Sequence, residues 1–171
     1  MKKFFYALFM GAIITTFSGL TSCKSASVRE APGIFATTSL TPVVLQNNPD
    51  GSVVVKVWGT GANTSEAVDN ALKNALMATI YDGFSEGQGI AGQQPILPLV
   101  STINARQKYS YYFNPFFSQG GEYLRYVTEN INNTDSRVEA NTSGRKGVAI
   151  IAVVDRTALK NRLIKDKIII P

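Results

Sequence analysis

Residues 53–81 read VVVKVWGTGANTSEAVDNALKNALMATIY, a valine-rich strand that runs through Gly59-Thr60-Gly61 into a long helix. Side chains alternate along a strand, so Val53, Val55 and Val57 share one face while Val54, Lys56 and Trp58 share the other. The first face reads as core and the second as mixed. Asn63 and Glu66, three residues apart, fit a capping box with Asn in place of Ser or Thr, which starts a helix at about Thr64. Ala67, Ala71, Ala75 and Thr79 recur every four residues beside Val68, Leu72, Leu76 and Ile80, giving a two-column apolar stripe over Thr64 to Tyr81. The small column lets that helix lie close on a sheet. A strand, G-x-G and a helix also fit the opening of a dinucleotide site. Here, however, the third glycine position is Thr64, and no second strand ends in an acid ~20 residues on. The glycines therefore predict a tight strand-to-helix connection, and no cofactor is expected.

Upstream of this stretch, Val43 to Leu45 form a short apolar strand and Asn48-Pro49-Asp50-Gly51 a turn, so the chain enters as a hairpin. Pro presets the first central position of a type I turn, Asp suits the second, and Gly accepts the left-handed residue that follows. Downstream, residues 82–100 are rich in Gly, Gln and Pro and read as a long loop. Ser101 to Gln119 is helical in spacing, with Asn114-Pro115 expected to break it and start a second short helix. Glu122 to Ile131, Arg137 to Asn141 and Gly147 to Val154 alternate or run apolar as three strands of an antiparallel meander, the last one central. Asp155 caps a helix from Arg156 to about Lys165, and Ile168 to Ile170 is expected to add an edge strand. The fold class is α+β: an N-terminal hairpin, a long Ala-striped helix, an aromatic-rich helical segment, the meander and a C-terminal helix, with the helices on one sheet.

At the start of the chain, Lys2 and Lys3 precede an apolar run from Phe4 to Phe17, the layout of a secretory signal peptide over residues 1–22. Thr15, Thr16 and Ser18 cut the run short of the ~20 apolar residues a membrane span needs. Leu20-Thr21-Ser22-Cys23 resembles the lipobox of bacterial lipoproteins. That resemblance implies that Cys23 is thioether-linked to diacylglycerol, becomes the new N-terminus, and is then N-acylated with a fatty acid such as palmitate. Lys24, rather than Asp, follows the anchor, which under the enterobacterial sorting pattern favours the outer membrane. Residues 23–38, small, polar and interrupted by Pro and Gly, read as a tether of ~20 Å reach, and residues 39–171 as a single domain.

Loss of Lys2 and Lys3 with the leader leaves 15 bases against 12 acids, a net charge of +3 on 149 residues. An excess that small, in an exported chain, makes nucleic acid an unsuitable partner. The chain holds no histidine and one cysteine, which removes Ser-His-Asp and Cys-His sites, the commonest metal ligand and any internal disulfide.

The order of a hairpin, a strand ending W-G-T-G at residues 58–61, a helix with A-x-x-x-A-x-x-x-A and a later strand ending V-V-D at residues 153–155 carries a further resemblance. It is similar to the small α+β domain of LPP20-type lipoproteins and of the N-terminal part of the flagellar assembly protein FlgT. The matching segments are Val53 to Ile80 and Val148 to Leu163; the whole chain also resembles lipoproteins of Bacteroidetes. The resemblance implies a non-enzymatic envelope module and carries no catalytic residues across.

Seven aromatics lie within residues 109–123: Tyr109, Tyr111, Tyr112, Phe113, Phe116, Phe117 and Tyr123. Phe113, Phe116 and Phe117 are expected in the core. Tyr111, Tyr112 and Trp58 are the candidates for stacking on a glycan or anchoring a protein partner. The leading expectation is a membrane-anchored, non-catalytic module that binds another envelope component, protein or glycan. One alternative is a glycan hydrolase using a carboxylate pair such as Glu86 with Glu122. The other is a structural subunit of a secretion or motility assembly.

Overall fold

The computed structural model describes residues 41–85, 92, 94–131, 137–142 and 145–170, with the backbone of 28–30. Its strands are β1 (Val28–Glu30), β2 (Val43–Asn47), β3 (Val53–Gly61), β4 (Val127–Glu129), β5 (Arg137–Thr142) and β6 (Arg145–Val154). The helices are α1 (Thr64–Met77), α2 (Ala105–Lys108), α3 (Ser110–Phe116) and α4 (Arg156–Lys165). The sheet order is β1-β5-β6-β3-β2, with β4 also on β6; every pairing is antiparallel except β1 with β5. This is the α+β architecture expected, with the helices on one face.

The hairpin forms as its turn residues dictate. Gly51 donates its amide to Asn48 O at 3.0 Å and takes a φ of +85°. A bulge at Leu45 shifts the register of β2 on β3. Beyond Lys56, β3 has no β2 partner, and α1 closes that edge: Asn70 Nδ2 and Asn74 Nδ2, one turn apart, donate to Thr60 O at 2.8 Å and Trp58 O at 2.9 Å. Helix α1 begins on the capping box, Asn63 Oδ1 accepting from Glu66 N and Glu66 Oε2 from Ala62 N. It comes so near β3 that a Cβ on Gly59 would stand 2.1 Å from Ala67 O and 2.3 Å from Ala71 N. The glycine pair is there for that approach. Val53, Val55, Val57, Val148, Ile150, Ala152 and Val154 meet Ala67, Ala71, Ala75, Leu76, Leu159 and Leu163 in one core.

Several expectations are corrected. Residues 23–38 were expected to be tether throughout, yet Val28–Glu30 pairs in parallel with Arg137–Glu139 at the edge of the sheet. The strand expected from Glu122 opens instead as a 3-10 turn, Glu122–Arg125, which turns the fully buried Tyr123 into the core, and only Val127–Glu129 is extended. The meander is antiparallel as read, but β4 and β5 do not pair with each other. β3 occupies one edge of β6 along nine residue pairs, so β4 and β5 follow one another along the other edge.

Asn114-Pro115 breaks nothing, since Pro115 lies in the last turn of α3, where its missing amide forfeits one bond and Phe113 and Phe116 stay on one buried face. Nor does the C-terminal tail add a strand. Lys167 adopts φ +59°, and the amides of Ile168 and Lys167 return to Leu163 O and Ile164 O, a Schellman closure that buries Ile168 over Leu163.

Candidate functional site

Helix α1 does not end where its α-helical bonding ends. It widens into a π-helical turn, Ala78–Asp82, closed by Gly83 N to Ala78 O at 2.8 Å. The carbonyls of Thr79 and Ile80 accept from Leu99 N and Val100 N, which straps the returning loop to the helix end. Tyr81 and Asp82 are thereby set at the mouth of a furrow. Arg106, from α2, donates from its Nη2 to both Asp82 oxygens at 2.8 and 2.9 Å and lays its guanidinium over the Tyr81 ring, 4.7 Å from the centroid. Burial pushes the Tyr81 hydroxyl up to about 12, only partly opposed by Arg106.

Two hollows of about 470 and 490 Å³ meet at Tyr81 and Arg106. The second runs between Lys73 and Met77 on α1 and Ser110, Phe113, Asn114 and Phe117 on and after α3. At Lys73 it joins a third, polar hollow of about 510 Å³ lined by Asn63, Ser65, Glu66, Asp69, Asn70 and Gln119. The outer side of α1 thus carries three adjoining hollows that share Tyr81, Arg106 and Lys73, a furrow with aromatic walls at its middle and amides at its end. Its volumes lie in the range of ligand pockets.

The acids of this furrow are committed. Glu66 caps α1, Asp82 holds Arg106, and Asp69 accepts from the Tyr123 hydroxyl and pairs with Lys73 at 2.8 Å. Burial would raise the Asp69 carboxyl, but the bonds from Lys73 and Tyr123 outweigh it and the net shift is downward. The Tyr123 hydroxyl is pushed upward by burial and by Asp69. Among the described residues no group of three or more Cys, Asp or Glu is placed to hold a metal ion.

A second polar cluster joins α3, the 3-10 turn and α4. Tyr112 Oη donates to Asp166 Oδ2 at 2.5 Å, Arg162 Nε donates to the same oxygen at 2.6 Å, and Arg162 also reaches Glu122 at 3.2 Å. Burial, then the bond to Asp166, pushes Tyr112 up to about 12; that same bond is the largest influence holding Asp166 low. Tyr112 is accordingly half-buried and occupied. Its neighbour Tyr111 is 72 % exposed, on the rim of a hollow of about 300 Å³ with Pro115, Phe116 and Glu122.

Of the residues singled out from sequence, Trp58 is 8 % exposed and lies on the sheet face away from α1, against Ala140, Ala149 and Val138. Phe113 and Phe116 are buried as expected, while Phe117 is only partly so and lines the furrow. Glu86 and Cys23 lie outside the described residues, so the carboxylate pair is seen from one side only: Glu122 is engaged by Arg162 and, at 3.7 Å, by Arg125. Sequence reasoning missed Tyr81, Asp82 and Arg106. The one local signal was Asp69 and Lys73, four apart on the polar side of α1. No protein-family model, no curated protein and no solved structure matches this chain.

Proposed function

We propose that this chain is an acylated envelope lipoprotein, carried at the outer membrane on Cys23, whose α+β domain binds another envelope component in the furrow along α1 without performing chemistry on it. The observation that carries the reading is the furrow itself: an aromatic and amide-lined channel in which every acid already holds a structural bond. A general acid or nucleophile needs a carboxyl free to change its proton or attack; Glu66, Asp69 and Asp82 are spoken for. The lipobox, the absence of histidine and the element order behind the likeness to LPP20-type lipoproteins support the same assignment.

The test is photocrosslinking in living cells from a photoreactive residue at Ser110 or Asn114, both on the furrow wall. A single discrete adduct that disappears with Arg106→Ala is expected. Adducts with bulk protein and lipid alone, unchanged by that substitution, would remove the binding role. Palmitate-analogue labelling reads the anchor separately: label lost in Cys23→Ser is expected, and an unlabelled parent chain sinks the anchoring.

A further inference from the structure

The mature chain's charge is unevenly placed. Residues 155–167 hold five bases, Arg156, Lys160, Arg162, Lys165 and Lys167, against Asp155 and Asp166, which is the whole +3 excess; the remaining ten bases meet ten acids. Arg162 is tied up by Asp166 and Glu122, whereas Lys160, Lys165 and Lys167 are exposed. The bond from Tyr112 to Asp166 and the pair of Arg162 with Glu122 bring α3 and the 3-10 turn against the end of this helix. The apolar side chains left in water there are large: Tyr111 at 72 %, Leu124 at 43 % and, three residues past Lys167, Ile170 at 91 %. A tyrosine and aliphatic tips among lysines are the composition of a surface seated at a lipid headgroup layer.

The chain's own geometry brings the domain within range of a bilayer. β1 starts at Val28, so only four residues separate it from Cys23, a span of at most roughly 18 Å when fully extended. A domain held that near a leaflet must present some face to it. We propose that the C-terminal face, Lys160, Lys165 and Lys167 with Tyr111, Leu124 and Ile170, docks onto the anionic leaflet in which the anchor sits. This rests on the anchoring proposed above. Acyl chains supply the attachment, and the lysines fix the orientation, leaving the furrow as the surface open to a partner.

The experiment couples the mature chain through its single thiol, Cys23, to maleimide-headgroup lipid, so that attachment does not depend on natural acylation. Lysines are then acylated with an uncharged reagent and quantified by mass spectrometry, on neutral phosphatidylcholine vesicles and on vesicles with ~30 mol % phosphatidylglycerol. Lys160, Lys165 and Lys167 should react at least about threefold more slowly on the anionic vesicles, and recover in ~0.5 M salt, where the Debye length falls to a few ångströms. Lys56 and Lys108, both exposed, serve as references and should not change. Tyr111→Glu, at an exposed position, should reduce the protection.

Equal rates on both vesicles, or protection appearing at Lys56 and Lys108 instead, overturns the docking face and leaves acylation untouched. Conversely, a parent chain that takes up no palmitate analogue in cells removes the anchoring reading, while the vesicle result stands by itself.

Discussion

Helix α1 and the C-terminal helix α4 cover the same face of one sheet and are held there by different forces. α1 lies on β3 through glycine and alanine, backbone almost touching backbone, with Ala67, Ala71 and Ala75 fully buried. α4 buries Leu159 and Leu163, but its far end is joined to α3 and to the 3-10 turn by Tyr112, Asp166, Arg162 and Glu122, all partly in water. Close apolar packing holds no titrating group and so has no pH dependence of its own, and it fails abruptly when volume is added. A hydrogen-bonded ion cluster yields gradually, and responds to protons.

The sharpest way to break the first arrangement is Gly59→Ala. The added carbon meets Ala67 O and Ala71 N, which belong to a helix backbone and have nowhere to go. A loss of more than about 3 kcal/mol in denaturant unfolding is expected; a variant that unfolds like the parent would mean that α1 sits farther from β3 than described.

Tyr112→Phe probes the second arrangement and should cost about 1 kcal/mol at neutral pH, since Asp166 keeps Arg162. Its pH dependence separates it from simple packing loss. The Tyr112 bond, more than any other influence, holds the Asp166 carboxyl below its usual value. The folded state therefore gains stability from this group above the unfolded carboxylate value, and loses it as the pH falls through the lowered folded one. Melting curves of parent and variant should be separated at pH 7 and draw together as the pH falls through and below the ordinary carboxylate range. A constant gap down to pH 2 would assign the effect to packing.

The smallest effect belongs to the furrow. Arg106→Gln removes an ion pair whose two side chains are more than half exposed, and stability should change by less than about 1 kcal/mol. A larger loss would make Arg106 a structural post for α2 rather than a wall of the furrow.

The same contrast explains what could be read from the chain. The turn at Asn48–Gly51, the Asn63–Glu66 box, the alanine column and the Asp155 cap are local, each signal lying within a few residues of its effect, and each was legible. Tyr123 was assigned to a strand because Tyr123, Arg125 and Val127 alternate; its actual turn is decided by burial over α1 and by Asp69, 54 residues earlier. Tyr112 looked free for the same reason, its partner Asp166 being 54 residues later. The furrow was invisible in sequence because a π-helical turn aims Tyr81 and Asp82 where α-helical periodicity would not. Trp58 was placed on the correct face of β3, but alternation does not report what neighbours stand there.

Arg137 grips Glu129 through both carboxylate oxygens, at 2.5 and 2.6 Å, across the join between β4 and β5, while Asn130 N still bonds Ile151 O. Both ends of the intervening segment are thereby pinned to β6. Added length there leaves either strand in register, and each doubling of a loop costs only about 0.6 kcal/mol. The join between Glu129 and Arg137 is therefore where an epitope tag, or an inherited insertion, should leave the registers of β4 and β5 on β6 unchanged.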